Sequence, residues 1–170
     1  MTAPLAVFIG PMGAGKTRLG KRVARALEVP FTDTDKVIVA EHGPIAEIFD
    51  THGEPHFRAL ERAAVRAAFG NGGIVSLGGG AVLDPATQEL LAGVPVVYLQ
   101  VDADAVSERL ADGTRPLVRG GIDDWQRIYD ARRPLYERLA TVTFDTSRQP
   151  RDRLVEQIAA WVAGREQNTP

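Results

Sequence analysis

Apolar residues follow two patterns along this chain: short unbroken runs, and longer stretches with a helical repeat. The unbroken runs predict buried strands at 7–9, 31–33, 74–77, 94–101 and 141–144. Between the first two strands, Leu19, Val23 and Leu27 recur every fourth residue, which predicts a helix with one apolar face. Because strands and helices alternate, and crossovers between parallel strands are right-handed, we predict an α/β fold with helices on both faces of a parallel sheet.

The stretch from 36 to 70 lacks a strand pattern and predicts consecutive helices, broken at Gly43-Pro44 and near Gly53. The last of these helices is predicted to turn inward Phe57, Leu60, Ala63, Ala64 and Ala67. Further helices are predicted over 102–110, over 125–139 and at the end of the chain, with a frayed tail after Gly164. The segment 111–124 is rich in Gly, Arg and Asp and has no apolar periodicity, so we predict that it is mobile.

The composition excludes several classes of function. With 170 residues and no cysteine, the chain is long enough for one domain with its own core, and it offers no disulfide or cysteine nucleophile. The formal net charge is −2 with both signs interspersed, so we expect small-molecule partners and no nucleic acid. No 18 apolar residues run together and no basic leader precedes the first strand, so we expect a cytoplasmic protein with no membrane partner. We also expect the protein to be a monomer.

The first predicted strand leads directly into residues 10–17, which match the phosphate-binding pattern G-x-x-x-x-G-K-T. Glycines at 10, 13 and 15 let backbone N–H groups turn toward phosphate oxygens without interference from a Cβ. Lys16 adds a positive charge, and Thr17 is the first hydroxyl of the following helix, where it could coordinate Mg²⁺. A glycine-rich surface turn is the alternative, but the flanking strand and helix favour binding of a nucleoside triphosphate.

Two carboxylates, Asp33 and Asp35, follow the second predicted strand. Ligands of open α/β sheets bind at the carboxyl ends of the strands, where the glycine-rich loop also lies. One carboxylate could hold the hydration shell of a metal while the other accepts a hydroxyl proton, as phosphoryl transfer to an alcohol requires. The alternative is a pair of helix-capping residues, which the position at the ligand edge makes less favourable.

Arginines are the candidates for holding an anionic acceptor, because a guanidinium can grip a carboxylate through two parallel hydrogen bonds. Arg58 is one candidate, and Arg132 and its neighbour Arg133 leave a choice that the residue types do not settle. Arg115 lies in the segment predicted to be mobile, from which it could swing onto a transferring phosphoryl group. The three histidines show no metal-ligand spacing, and we expect Trp125 and Trp161 to be packing residues.

Several motifs occur together in one order: G-P-M-G-A-G-K-T at 10–17, D-T-D at 33–35, G-E-x-x-F-R at 53–58, S-L-G-G-G-A at 76–81, R-P-L at 115–117 and R-R-P-L-Y at 132–136. In this combination and spacing the chain resembles shikimate kinases over nearly its whole length. The resemblance implies a nucleoside-monophosphate-kinase-like P-loop fold, three-layered α/β/α with a five-stranded parallel sheet. It also implies a single kinase domain over 1–170, with a helical substrate-binding region at about 33–62 and a lid at about 111–124.

The resemblance also implies the activity, which is ATP-dependent phosphorylation of the shikimate 3-hydroxyl in chorismate and aromatic amino-acid biosynthesis. Lys16, Asp35 and Arg115 would be catalytic, while Mg²⁺ would be held directly by Thr17 and through water by Asp33. The nucleotide contacts would be Gly13, Ala14, Gly15, Lys16, Thr17, Arg18, Arg109, Arg115, Arg148, Gln149 and Pro150. The shikimate contacts would be Asp35, Phe49, Phe57, Arg58, Gly79, Gly80, Pro116, Leu117 and Arg132.

Two other functions are compatible with a P-loop and must be weighed. A gluconate kinase phosphorylates another small hydroxy acid, and the D-T-D, F-R and R-P-L motifs argue against it. A nucleotide-binding regulator without turnover would retain all the catalytic side chains to no purpose. Release of ADP from Mg-ATP in the presence of shikimate separates both alternatives from the first interpretation.

Arg115 provides a test of the predicted lid. If the segment 111–124 closes over bound substrates, the Arg115 charge acts only in the closed state, so Arg115→Ala should depress kcat much more than it weakens shikimate binding. Backbone amides of the segment should also exchange hydrogen fast in the free protein and more slowly with ADP and shikimate bound. Protection that is already high without ligands, and unchanged by them, would contradict a lid.

Overall fold

The computed structural model describes residues 2–111 and 120–168. Its centre is a five-stranded sheet in the order β2-β3-β1-β4-β5, in which every neighbouring pair is parallel. The strands are β1 (Ala6–Ile9), β2 (Phe31–Asp33), β3 (Ile74–Ser76), β4 (Val96–Gln100) and β5 (Val142–Asp145). This confirms the predicted fold class, with each strand within two residues of its predicted bounds.

Helices cover the sheet and connect its strands. They are α1 (Lys16–Ala26), α2 (Thr34–His42), α3 (Ile45–His52), α4 (Glu54–Phe69), α5 (Pro85–Leu91), α6 (Ala103–Leu110), α7 (Gly121–Leu139) and α8 (Arg151–Glu166). The predicted breaks at Gly43-Pro44 and Gly53 are the ends of α2 and α3, where both glycines have positive φ. Asp84 caps α5 by accepting a hydrogen bond from the Ala86 N–H, with proline in the first turn.

Three details of the predicted pattern were wrong. Ala63 and Ala67 are exposed on α4, because the buried stripe of this helix runs through Glu61, Ala64, Val65 and Ala68 instead. Helix α7 begins at Gly121, so the last four residues of the predicted lid are its first turn, with acidic side chains at the positive end of the helix. Helix α8 continues past Gly164 to Glu166. The rest of the predicted lid, from 112 to 119, lies outside the described residues.

Two apolar clusters place the functional loops. The larger one joins the strands to α1, α7 and α8, and the β1 and β4 side chains Phe8, Val97 and Tyr98 in it are fully buried. The smaller cluster holds α2, α3 and α4 together through Ile38, Ile48, Phe57 and Ala64. The predicted substrate-binding region thus has a small core of its own beside the main one, which fixes α3 and α4 against each other.

The strand register brings three loops to one edge of the sheet. Ser76 on β3 pairs with Phe8 on β1 and with Asp33 on β2. The loops that begin at Gly10, Asp33 and Leu77 therefore start at the same level, on the edge where ligands of open α/β sheets bind. Within the described residues, no helix is both long and apolar enough to cross a membrane.

Gly73 tests how closely β2 and β3 approach. Its φ is +69°, and a Cβ there would collide with the Pro30 carbonyl oxygen, which accepts the Ile74 N–H at 2.9 Å. Gly43 also has positive φ, but nothing lies within 4 Å of an added Cβ. We expect Gly43→Ala to lower the free energy of unfolding, measured with urea, by the backbone strain alone, about 1–3 kcal/mol. Gly73→Ala should lower it clearly more, because the collision with Pro30 adds to the strain. Equal costs would contradict this close approach.

Candidate active site

The P-loop lies between β1 and α1, with φ values of 145° at Gly10, 84° at Gly13 and 94° at Gly15. A Cβ at Gly10 would collide with the Leu99 carbonyl oxygen on β4, so only glycine fits where the loop leaves the strand. Lys16 begins α1, and its Nζ donates to the carbonyl oxygens of Gly10 at 2.7 Å and Pro11 at 3.0 Å. The positive charge of Lys16 thus lies over the loop, next to the amino end of α1, which favours anions.

Thr17 and Asp33 form one polar unit at the mouth of this loop. The Thr17 hydroxyl donates to Asp33 Oδ2 at 2.5 Å, and Asp33 Oδ1 accepts the Lys36 N–H at 3.1 Å. Asp33 therefore caps α2, which confirms the capping alternative for this residue, and its other oxygen faces Thr17. Hydroxyl and carboxylate oxygens suit Mg²⁺, which binds through few protein ligands and keeps several waters. Residues 2–111 and 120–168 contain no cluster of three or more His, Asp or Glu that could enclose a metal ion.

Asp35 lies at the point where two cavities meet. It lines both a polar pocket of about 140 Å³ with Lys16, Thr17 and Asp33, and a larger cavity of about 530 Å³ beside it. Its Oδ1 would be 2.5 Å from a Cβ at Gly78, so the carboxyl packs directly against the loop after β3. Burial, and then the negative charge of Asp33, raise the pKa of Asp35 above its usual value.

The larger cavity is lined by aromatic rings and by two arginines. Phe49 and Phe57 line it with ring centroids 4.8 Å apart, and Trp125 and Tyr129 of α7 also line it. Its volume suits a small ring compound. The predicted contacts that line it are Asp35, Phe49, Phe57, Arg58, Gly79, Gly80 and Arg132. The predicted residues Arg115, Pro116 and Leu117 lie outside the described residues.

Arg58 is held by a buried acid that the sequence interpretation did not single out. Glu61 is 3% exposed and accepts from Arg58 Nη1 at 2.7 Å, while Glu54 accepts from the same guanidinium at 3.4 Å. Burial raises the pKa of Glu61, although the hydrogen bond from Arg58 opposes that effect. A Cβ at Gly80 would be 2.6 Å from Arg58 Nη1, so the glycine leaves room for the guanidinium. The signal in the sequence was an acid one helical turn after the arginine, which is equally typical of a solvated helix face.

The structure separates the two neighbouring arginines of α7. Arg132 lines the cavity, with Nη1 3.4 Å from the position of a Cβ on Gly79. Arg133 points outward, pairs with Asp130 at 3.5 Å and lies over the Tyr129 ring, with its Cζ 4.5 Å from the ring centroid. The structure therefore places Arg132 in the cavity and Arg133 on the surface, a choice that the sequence left open.

A separate cleft of about 110 Å³ extends from the P-loop between α1, α6 and α8. Arg109 spans it by donating to the Gly13 carbonyl at 2.7 Å and to the Thr146 carbonyl, and Thr146 donates its own buried hydroxyl to the Ala14 carbonyl at 2.8 Å. Desolvation lowers the pKa of Arg109. The predicted Arg18 also lines the cleft. This position beside the phosphate loop suits the nucleoside part of a nucleotide.

Three predicted nucleotide contacts, Arg148, Gln149 and Pro150, do not line this cleft. Arg148 is exposed and pairs with Asp102 at 2.5 Å, and Gln149 and Pro150 are exposed beside it. Arg151, the first residue of α8, lines the cleft instead, and sequence reasoning missed it together with Thr146. An arginine or threonine at a loop end carries no motif that could have identified either residue.

Trp125 does more than pack the core. It is 3% exposed and packs on Tyr129, and it also lines the larger cavity. Its indole Nε1–H donates to the Met12 carbonyl at 2.7 Å, which ties α7 to the tip of the P-loop. The expectation that Trp125 is only a packing residue is therefore incomplete, because a buried indole N–H also needs an acceptor.

The fold and site define a P-loop kinase whose phosphate loop faces a cavity for a small acceptor. A family model described as shikimate kinase matches residues 12–163. Shikimate kinases of Rhodococcus jostii and Mycobacterium avium are 44% and 45% identical, covering 95% and 93% of this chain and 99% and 93% of the relatives. The chain therefore belongs to the shikimate kinase family.

Solved structures agree with this assignment. The shikimate kinase from Acinetobacter baumannii in complex with shikimate has a TM-score of 0.86 at 30% identity, covering 96% of this chain and 95% of that one. A gluconokinase from Sinorhizobium meliloti has a TM-score of 0.62 at 20% identity, covering 98% of this chain and 95% of that one, which shows a shared fold.

Asp35→Asn tests the raised pKa of Asp35 through stability. The folded state favours the protonated carboxyl, so its contribution to stability is present below the unfolded pKa and is lost as pH rises through the folded pKa. Asparagine stays neutral, so the variant should gain free energy of unfolding relative to the parent at pH 8, and this gain should disappear toward pH 3.5. The exposed Glu89→Gln should show no such gain. A gain that is equal at both pH values would contradict the raised pKa.

Proposed function

We propose that this chain transfers the γ-phosphoryl group of ATP to the 3-hydroxyl of shikimate, giving ADP and shikimate 3-phosphate in chorismate and aromatic amino-acid biosynthesis. The observation that carries the proposal is the position of Asp35, which lines both the phosphate pocket and the acceptor cavity. A carboxyl there can touch an acceptor hydroxyl that also faces the phosphate loop. The membership of the family supports shikimate as that acceptor.

The acceptor cavity matches an anionic ring compound with several hydroxyls. Arg58 and Arg132 bring two guanidinium groups to it, which can pair with the shikimate carboxylate. Phe49 and Phe57 offer an apolar wall to the ring, and Gly79 and Gly80 offer backbone beside it without side chains. In this arrangement the carboxylate lies at the arginines and the reacting hydroxyl lies at Asp35.

Asp35 would act as the general base. The raised pKa makes the ionised carboxylate a better proton acceptor than an ordinary aspartate. It would hydrogen-bond the 3-hydroxyl and take its proton as the oxygen bonds to phosphorus. The carboxyl is half-buried, and an acceptor in the cavity would shield it further from bulk water.

The P-loop side would bind the nucleotide. Backbone N–H groups of Gly13, Ala14 and Gly15 would surround the phosphates, and Lys16 would leave its carbonyl partners to follow the transferring group. Thr17 would hold Mg²⁺ directly and Asp33 would hold it through water, and a bound Mg²⁺ neutralises charge on the phosphates. Arg115 would add a second cation from the lid.

The proposal also covers partners and setting. We infer a monomeric, cytoplasmic enzyme with no nucleic-acid or membrane partner. The net charge of −2, with both signs interspersed, provides no broad basic field for a nucleic acid.

A coupled assay of ADP release tests the proposal. Mg-ATP should be consumed rapidly with shikimate, and at most slowly with gluconate or nucleoside monophosphates. Lys16→Ala should abolish turnover while it leaves shikimate binding largely intact, because the lysine addresses the phosphates. Preference for gluconate, or binding of ATP without release of ADP in the presence of shikimate, would favour the alternative functions instead.

Arg132→Ala tests the predicted carboxylate contact, with Arg133→Ala as the matched control on the same helix. Loss of the Arg132 guanidinium leaves the carboxylate poorly paired, at a cost on the order of 2 kcal/mol or more. The KM for shikimate should therefore rise about 30-fold or more, while Arg133→Ala should change it little. Arg58→Ala should act in the same direction, although it also leaves Glu61 buried without its partner.

An analogue of shikimate without the carboxylate completes this test. The analogue should be a poor substrate for the parent and should lose little more in the Arg132→Ala variant. If the variant penalises the analogue as heavily as shikimate, Arg132 does not bind the carboxylate.

A further inference from the structure

We propose that the Tyr136 hydroxyl is a positioning group for the acceptor site, because it holds the Arg132 guanidinium and the Gly79 peptide in fixed relation to each other. This inference rests on the proposed function, in which Arg132 and Gly79 contact shikimate. Tyr136 lies one helical turn after Arg132 on α7 and is fully buried. It is a buried titratable group for which the phosphoryl transfer itself requires no role.

The hydroxyl has two polar neighbours of opposite kind. It donates its proton to the Gly79 carbonyl at 2.6 Å, and the Arg132 guanidinium lies close enough to act on the hydroxyl through its charge. A hydroxyl has one proton and two lone pairs, so it can join a carbonyl to a guanidinium, whereas two acceptors or two donors could not be joined directly. The Cβ position of Gly79 lies 3.4 Å from Arg132 Nη1 and 3.6 Å from Tyr136 Oη, so both side chains approach Gly79.

The ring of Tyr136 is itself fixed by the core. It stacks on Tyr98 of β4 with centroids 5.4 Å apart and an interplanar angle of 19°, and it packs against Tyr129 at 6.2 Å. The hydroxyls of Tyr98 and Tyr129 bond to each other, which leaves the Tyr136 hydroxyl to Gly79 and Arg132. The central sheet therefore sets the position of the bridging oxygen.

This arrangement reduces the freedom of a long side chain that must meet the substrate. An arginine loses about 2 kcal/mol of rotamer entropy when it is ordered. If Tyr136 holds the guanidinium before shikimate arrives, less of that cost falls on binding. The loop after β3 also has less conformational freedom to lose on binding, because Tyr136 on α7 holds the Gly79 carbonyl by a hydrogen bond.

The protonation state of Tyr136 suits the role over the whole range in which the enzyme could work. Desolvation raises the pKa of Tyr136 to about 12, in spite of the opposing charge of Arg132. The hydroxyl therefore keeps its proton at neutral pH and continues to donate to the Gly79 carbonyl.

Tyr136→Phe tests the inference, since it removes the hydroxyl and keeps the ring. Tyr98→Phe is the matched control, because it removes a buried tyrosine hydroxyl that touches neither Gly79 nor Arg132. Loss of a polar contact with a charged group leads us to expect that Tyr136→Phe raises the KM for shikimate on the order of tenfold. We expect kcat, the KM for ATP and the KM values of Tyr98→Phe to stay within about twofold of the parent.

A double-mutant cycle distinguishes positioning of Arg132 from a general structural effect. In an Arg132→Ala background, Tyr136→Phe should change the KM for shikimate by at most about threefold, since the group that it positions is absent. An equal tenfold effect in both backgrounds would overturn the inference, as would an unchanged KM in Tyr136→Phe or an equal rise in Tyr98→Phe. A Tyr136→Phe protein that fails to fold would also overturn it, because the hydroxyl would then serve stability. An inactive parent would instead contradict the proposed function.

Discussion

The parallel pairing of β3 with both β1 and β2 is the constraint on which the rest of the site depends. Ser76 lies level with Phe8 and with Asp33, so the loops that follow these three strands begin at the same level of the sheet. A shift of one residue in either pairing would turn Asp33 to the other face of the sheet and separate it from Thr17. The close approach at Gly73, where only glycine fits, helps to hold that register.

Charge in the site follows from this geometry. Two acids, Asp33 and Asp35, are brought beside the lysine of the P-loop, and burial penalises the ionised form of Asp35. The acceptor cavity instead carries two positive charges, on Arg58 and Arg132, and the buried Glu61 binds Arg58. The result is a cavity lined by two guanidinium groups and one carboxyl, which can orient an anionic hydroxy acid before any phosphoryl transfer.

The sequence predicted most of the fold and many of the residues that line the cavities, for identifiable reasons. Strands and the P-loop could be predicted because apolar runs and glycine spacing are local signals. Glu61 could not, because its burial depends on how α4 packs against the sheet. The hydrogen bonds of Trp125, Tyr136 and Thr146 could not be predicted for the same reason, since each joins a backbone carbonyl that is far away in the sequence. The choice between Arg132 and Arg133 depends on the rotation of α7, which residue types do not encode.

The central claim is that the phosphate loop and the acceptor cavity meet at Asp35, so that phosphate passes directly to one hydroxyl of shikimate. Phosphorus NMR of the product formed from Mg-ATP and shikimate tests this claim most directly. We expect one new phosphate monoester signal that correlates with the proton on carbon 3 of the ring, together with ADP. Inorganic phosphate alone, or a monoester at another hydroxyl, would contradict the account.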